Sequence, residues 1–484
     1  MGGLVRGAQL GRLLGQWHAL PARRRSPDYV ALASAVRGLL ADGRLALGVR
    51  LPAERELAES LAISRTTVSA AYRELRDSGH LVSRRGAGSW TALPEGLRVG
   101  SSGLWAPSDD PGLIDLSSAA PAAPIELAAA ARAAVEDLPR YLGGPGYFPC
   151  GLDELREVVA ARYTARGLPT RLEQILITNG TQHALDLVVR LIVHPGAPVL
   201  VESPTYPGAL AALAGSRARI ATHGLGAQGW DGELLLDTIR QTRPKLAYLI
   251  PEFQNPTGHL MPLRLRELLP AAAHSAATDL VIDESFVDLQ LTDDPLPPPV
   301  AAFDRHSRVL TIGGMSKPFW GGMRIGWIRA AAPLVQRLAA VRVGVDMASP
   351  VLDQLVAVRL LDQAEGIVAA RRASLGVRRD TLVTELRDRL PEWSFTIPRG
   401  GLTLWAELDA PVSSALARSA EAHGVRLAPG PRFGLDGTLE RFLRLPFTLP
   451  PVDLTEAVGR IAAARFDLDR GTPRPHWTEP TLIA

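Results

Sequence analysis

Five short apolar or β-branched runs, each followed by a stretch of helical periodicity, constrain this chain more than any other feature. They occupy residues 175–178, 199–202, 246–251, 280–283 and 309–313. A run that is apolar on both faces must be covered on both, and the intervening helical stretches supply that cover. Alternation of this kind predicts an α/β unit whose mostly parallel sheet lies between helices. After about residue 350 the pattern turns into a long helix followed by mixed segments. A smaller α+β C-terminal lobe is therefore expected over about 350–465, joined by the segment 113–144. The large domain then spans about 145–345 and the whole body 113–470.

The chain ahead of this body reads differently. Residues 93–112 are rich in Pro, Gly and Ser and read as a linker. Within 27–92, Leu32, Val36, Leu39 and Leu40 recur at helical spacing until Asp42-Gly43. Leu51–Ala58 predicts a second helix, and Ser64 can cap a third running to about Ser78. Leu81 to Thr91 predicts a hairpin around Arg85-Gly86-Ala87-Gly88. Three helices and a basic hairpin make a winged helix-turn-helix.

Charge supports a polyanion partner for this head. Residues 1–92 hold 14 Arg and 7 Asp or Glu, a surplus of 7 positive charges; the whole chain carries +3, so the rest sums to −4. Arg65, Thr66 and Thr67 lie at the start of the third helix, where a polar N-terminus can enter the major groove of double-stranded DNA. Arg84 and Arg85 lead into the hairpin tip.

Other classes are excluded more simply. No run of 18 apolar residues occurs, so no membrane span is expected. Arg6, Arg12 and Arg23 to Arg25 interrupt what would have to be a signal peptide. Cys150 is the only cysteine, so no internal disulfide can form, which suits the cytoplasm. No metal site is expected. Lys245 and Lys317 are the only lysines among 53 basic residues, which makes the search for a reactive lysine short.

The stretch from Leu51 to Trp90 resembles the GntR family's winged helix. That likeness implies DNA contacts for Arg55, Arg65 and the wing glycine, Gly86 or Gly88, with Ser64, Thr66, Thr67, Arg84 and Arg85 beside them. Roughly residues 113–465 resemble the class I aminotransferases of the fold-type I pyridoxal-phosphate group. The combination resembles the MocR/GabR-type regulators. It implies pyridoxal 5′-phosphate as cofactor, a homodimer with sites at the subunit interface, and a small amine or amino acid as effector.

The implied site follows motif by motif. Ser316-Lys317, shortly before Gly322-Met323-Arg324-Ile325-Gly326, looks like the Schiff-base lysine with its phosphate-binding arginine, a planar fork for a dianion. Gly180, Thr181 and Gln182 follow a strand and open a helix, a turn that presents N–H groups to phosphate. Tyr206 matches the aromatic stacked on the cofactor ring, and Asn255 the partner of its hydroxyl. Asp283 matches the carboxylate paired with the ring nitrogen, which keeps the ring an electron sink. Arg444 resembles the clamp on a ligand's α-carboxylate, and Tyr147 a tyrosine reaching the phosphate in the partner subunit's site.

Two positions depart from the aminotransferase pattern. Phe286 stands where a tyrosine normally donates to the ring hydroxyl, and the preceding residue, Ser285, does not replace it. Gly314 stands in place of a common Ser or Thr phosphate ligand. Losing the tyrosine is expected to weaken catalysis and losing the hydroxyl to weaken phosphate binding modestly, without removing the cofactor. Three functions stay open on the sequence alone: a regulator that senses an amine, an amino acid or the cofactor through Lys317; an active aminotransferase with an accessory DNA-binding domain; and a DNA-binding protein whose body holds no cofactor, against which the retained Lys317, Asp283 and Arg324 argue.

Overall fold

A computed structural model describes residues 4–15, 17, 27–84, 88–92 and 112–469. The head contains α1 (Gly7–Leu14), α2 (Asp28–Ala41), α3 (Glu54–Leu61) and α4 (Arg65–Asp77), then the antiparallel wing strands β1 (Leu81–Arg84) and β2 (Gly88–Thr91). Ser64 caps α4 as its residue type predicts, its Oγ accepting from the Thr67 N–H at 3.0 Å. Val68, Ala71, Tyr72 and Leu75 recur on one face of α4 and are buried against α2 and α3. Helix α1 was not expected from the sequence. It packs on α3, so Leu10, Leu14 and Trp17 join the head's core ahead of residue 27.

In chain order the body continues with β3 (Ile114–Asp115), α5 (Leu127–Asp137), α6 (Asp153–Ala165), β4 (Ile175–Thr178), α7 (Thr181–Ile192), β5 (Pro198–Ser203), α8 (Pro207–Gly215), β6 (Arg219–Gly224) and α9 (Gly232–Thr242). Next come β7 (Leu246–Leu249), α10 (Leu263–Ala276), β8 (Asp279–Asp283), β9 (Val309–Gly314), β10 (Gly326–Arg329), α11 (Ala332–Val343), α12 (Val351–Leu361) and α13 (Ala364–Arg389). The last elements are β11 (Ser394–Phe395), β12 (Thr403–Glu407), α14 (Ser413–Ala422), β13 (Val425–Arg426), β14 (Ala428–Pro429), β15 (Phe442–Pro446) and α15 (Pro451–Asp469).

The central sheet has the order β4-β10-β9-β8-β7-β5-β6 and is parallel except for β10, which runs against both neighbours. Its strands feed two cores in alternation. Leu246, Tyr248 and Val281 face one, whereas Ala247, Leu249, Leu280 and Ile282 face the other. This double burial is why the runs read as continuously apolar rather than alternating. The small lobe is the sheet β11-β12-β15-β14 with α13, α14 and α15 packed on it.

The segment 113–144, expected to join the small lobe as a block, divides instead. Strand β3 pairs with β13 of the small lobe, but α5 packs on α12, and both belong to the large domain's core. Helix α12 likewise lies with the large domain, so the small lobe begins within α13 rather than near residue 350. Short alanine-rich helices such as α5 carry little sequence signal about which core they cover. Among the described residues, no helix is long and apolar enough to cross a membrane.

Candidate functional site

The turn from β4 into α7 forms a cup. Gly180 is the N-cap of α7 with φ 84°, a left-handed value that glycine adopts freely. A Cβ there would lie 2.8 Å from Arg324 Nη2, and that guanidinium donates to the Asn179 carbonyl at 3.1 Å. Thr181 opens α7, so unpaired N–H groups of the helix start and the Arg324 fork share one space. Strand β10 passes so close that a Cβ on Gly326 would lie 2.6 Å from the Gly180 carbonyl carbon. A Cβ on Gly314 would meet Thr181 Cγ2 at 3.1 Å. The glycine at 314 is thus part of this close packing and not only a missing hydroxyl.

Behind the cup lies a polar brace that the sequence did not suggest. Asn179 Nδ2 donates to Asp346 at 2.6 Å, and the fully buried Arg342 holds Asp346 with Nε and Nη2 at 2.8 and 3.1 Å. Arg342 also donates to the Pro149 and Ile177 carbonyls and to Ser349. Gln182 Nε2 donates to the Gly208 carbonyl at 3.1 Å, tying α7 to the start of α8, where Tyr206 is N-cap. A Cβ on Gly208 would lie 2.5 Å from the Tyr206 ring, so the glycine leaves that ring its place.

At the other end of the cleft, Asp283 closes β8. Its Oδ1 accepts from the Ser285 N–H at 2.9 Å and the Ser285 hydroxyl at 2.6 Å, and its Oδ2 from the Tyr248 hydroxyl at 2.6 Å. Tyr248 was missed, yet the alternation of β7 and its register against Val281 put it on the face that carries Asp283. Burial pushes the Asp283 carboxyl up, while the Ser285 and Tyr248 hydrogen bonds and Lys317 hold it down. Ser285 therefore serves the carboxylate rather than a cofactor hydroxyl. Asn255 is buried nearby, held by a loop whose Gln254 bonds the buried Glu202 at 3.0 Å and the Pro204 carbonyl at 2.7 Å.

Lys317 follows β9, with the half-buried Ser316 beside it. Its Nζ donates to the Ala119 carbonyl at 2.9 Å and lies 5.9 Å from the Phe286 ring centre. Burial, then the positive charge of Arg444, pushes its amine down to about 8; Asp283 opposes this and Arg324 adds to it. Arg444 on β15 is buried, with its guanidinium 4.8 Å from the Phe433 ring centre and a hydrogen bond to the Ser117 carbonyl. Burial, with Arg432 second, pushes Arg444 down to about 10, still charged at neutral pH. Tyr147 is 59% exposed and outside this cleft. The exposed Val343, Val345 and Met347 lie on the chain that follows Arg342, which holds the Pro149 carbonyl at 3.1 Å.

The residues fit pyridoxal 5′-phosphate. Thr205 Oγ1, Gln182 Oε1 and an amide atom of Asn255 are buried without hydrogen-bond partners beside the cleft, and the Gly180–Arg324 cradle suits a dianion. On the head, Arg55 and Arg65 point into solvent beside Glu59 at 2.9 Å and Glu54 at 3.7 Å. Thr66 is exposed and Thr67 half-buried at the same helix start, and Gly88 opens β2. Arg85, Gly86 and the Arg84 side chain lie outside the described residues.

Comparison with known proteins agrees with this geometry. Residues 113–461 match the family "Aminotransferase class I and II", and residues 28–90 match "Bacterial regulatory proteins, gntR family". The chain is 32% identical over 308 residues to a 2-aminoadipate transaminase of Thermus thermophilus, covering 62% of this chain and 78% of that one. It is 26% identical over 494 residues to the probable rhizopine catabolism regulatory protein MocR of Rhizobium meliloti, covering 93% and 97%. The crystal structure of LysN, an alpha-aminoadipate aminotransferase from Thermus thermophilus, superposes with a TM-score of 0.69 at 30% identity. It covers 75% of this chain and 94% of that one.

Proposed function

Because the chain belongs to the aminotransferase class I and II family and carries a gntR-family domain ahead of it, we propose that it is a DNA-binding transcriptional regulator dependent on pyridoxal 5′-phosphate. It senses an amine, an amino acid or the cofactor itself. One observation carries this reading: Lys317, within electrostatic reach of Asp283, Arg324 and Arg444, shares a chain with an exposed, capped recognition helix.

When bound, the cofactor supplies an aldehyde that condenses with primary amines and a ring that accepts electrons. Gly180, Thr181 and Arg324 would hold its phosphate, Tyr206 and Asn255 its ring, and Asp283 its nitrogen. With its amine pushed down to about 8, Lys317 has a nucleophilic fraction near neutral pH. Arg444 would receive the carboxylate of an incoming amino acid. Phe286 offers Lys317 a hydrocarbon face where a hydroxyl would assist proton transfer, which favours holding a ligand over turning it over.

The exposed Tyr147, Val343, Val345 and Met347 next to the cup support a homodimer in which a second copy covers them. A dimer would present two heads to paired half-sites on DNA. A cytoplasmic location follows from this role. Likeness to a transaminase favours a second reading, steady amino transfer; turnover undiminished in a chain lacking residues 1–92 would replace the sensor with it. The test of the site is the visible absorption of the protein with added cofactor, before and after borohydride. A band that reduction fixes covalently, absent in Lys317→Ala, is expected. No such band at saturating cofactor would end the sensor reading.

A further inference from the structure

The turn between α2 and α3 of the head is set between the two walls of the ligand cleft. On the small-lobe side, the Leu439 N–H donates to the Ala41 carbonyl at 2.6 Å. Gly43, at φ 65°, sits so close that a Cβ on it would lie 2.8 Å from Ser203 Oγ and 3.1 Å from Leu439 Cδ2. On the large-domain side, a Cβ on Gly224 would lie 2.4 Å from the Arg44 carbonyl oxygen and 2.6 Å from that of Gly43. Ser203 and Gly224 end the neighbouring strands β5 and β6. Asp42 is 3.9 Å from Arg441; burial and Glu407 push its carboxyl up to about 6, while Arg441 and Arg44 hold it down.

From this turn the contacts continue to the ligand clamp. Leu439 is buried in one cluster with Phe433, whose ring lies under Arg444. The Phe433 carbonyl accepts from the Thr205 N–H at 2.9 Å, next to Tyr206. The rest of the head is anchored on the large domain, where α1 meets α9: Arg6 pairs with Asp237 at 3.2 Å, and Arg12 with Asp231 and Glu233 at 3.3 and 3.1 Å. Among the described residues, the head is thus fixed to one wall and meets the other through this turn.

We propose that this seat, Ser203 and Gly224 on one wall and Leu439 and Arg441 on the other, is the surface through which a ligand at Arg444 repositions the DNA-binding head. The inference rests on the regulator reading and adds the contact that transmits the signal. A ligand that engages the phosphate cup and Arg444 together draws the walls toward each other and changes the space left for residues 41–44. Such a ligand favours one head position by its differential affinity for the two arrangements. The surfaces are complementary whether the seated head comes from the same chain or from the partner in a dimer.

The test uses the full chain, a duplex it selects from a random DNA pool, and N-(5′-phosphopyridoxyl)-L-alanine, a stable adduct bearing phosphate, ring and carboxylate. The three atoms nearest to a Cβ on Gly224 all belong to the head, so Gly224→Ala should unseat the head and spare the cleft. In the unsubstituted protein the adduct should change hydrogen exchange at the Leu439 amide, and duplex affinity with it, by about fivefold or more. Gly224→Ala should bind the adduct unchanged, exchange Leu439 rapidly throughout, and lose the response of duplex affinity. A full response in Gly224→Ala overturns the seat while leaving the regulator standing. No response of the unsubstituted protein's affinity to bound adduct overturns the regulator and the seat together. Should Gly224→Ala fail to fold, unchanged Leu439 exchange in the unsubstituted protein on adduct binding is enough to overturn the seat.

Discussion

Arginine serves opposite ends in the two regions of this molecule. On the head, the side chains of Arg55 and Arg65 are 82% and 71% exposed, each beside one carboxylate. In the body, Arg266 and Arg342 are fully buried and Arg444 nearly so, their forks turned onto carbonyls and carboxylates. An exposed pair contributes little and exchanges its carboxylate for a phosphate at small cost. A buried guanidinium is fixed by its partners, and removing it leaves them uncompensated. The setting therefore decides whether the same side chain reads a long polyanion or locks one geometry.

The largest effect that would break or sharpen this contrast belongs to the brace behind the cup. Arg342→Ala should cost about 3–5 kcal/mol in denaturant unfolding, because Asp346, the buried Ile177 carbonyl and the Pro149 carbonyl lose their donor. A loss below about 1 kcal/mol would mean that the buried fork is not structural. Next, Arg444→Ala should weaken binding of an amino acid to the cofactor-loaded protein about a hundredfold and spare the matching amine without a carboxylate. Equal loss for both would assign Arg444 to packing rather than to recognition.

Smaller effects follow from Lys317 and from the head. Cofactor capture requires the neutral amine, and the lysine is pushed down to about 8. The initial rate of borohydride-trapped capture should therefore rise about tenfold from about pH 7 to about pH 9 and level off. A rise continuing past about pH 10 would place the amine at its ordinary value, contrary to its burial. Arg65→Ala should weaken DNA binding only about fivefold, with the slope of log affinity against log salt falling by about one. An unchanged slope would remove Arg65 from the phosphate contacts.

How much of this was legible in the sequence depends on how local each signal is. Both domains were readable because double-sided burial gives continuous apolar runs, and because Ser64 and the α4 periodicity mark one helix unambiguously. Gly180, Asp283 and Lys317 were readable through the resemblance to the class I aminotransferases, whose motifs they match in order, and the structure places each at or just after the end of a strand. Tyr248, Arg342 and Asp346 were not: they act on site residues from 35 to 167 positions away, and only the assembled sheet brings them together. The division of 113–144 between two cores and the packing of α1 on α3 were hidden for the same reason. In sequence Gly314 reads only as a lost ligand; its closeness to Thr181 is a contact between distant segments that the fold alone reveals.

The central claim is that occupancy at Lys317 changes how the head binds DNA. The most direct measurement is the affinity of the full chain for a selected duplex, with and without cofactor and a panel of amines, in the unsubstituted protein and in Lys317→Ala. A shift of about tenfold or more is expected with the cofactor or at least one amine, reciprocal with DNA's effect on that ligand's affinity and absent in Lys317→Ala. Affinity that stays constant under every ligand, or shifts equally without Lys317, would contradict it.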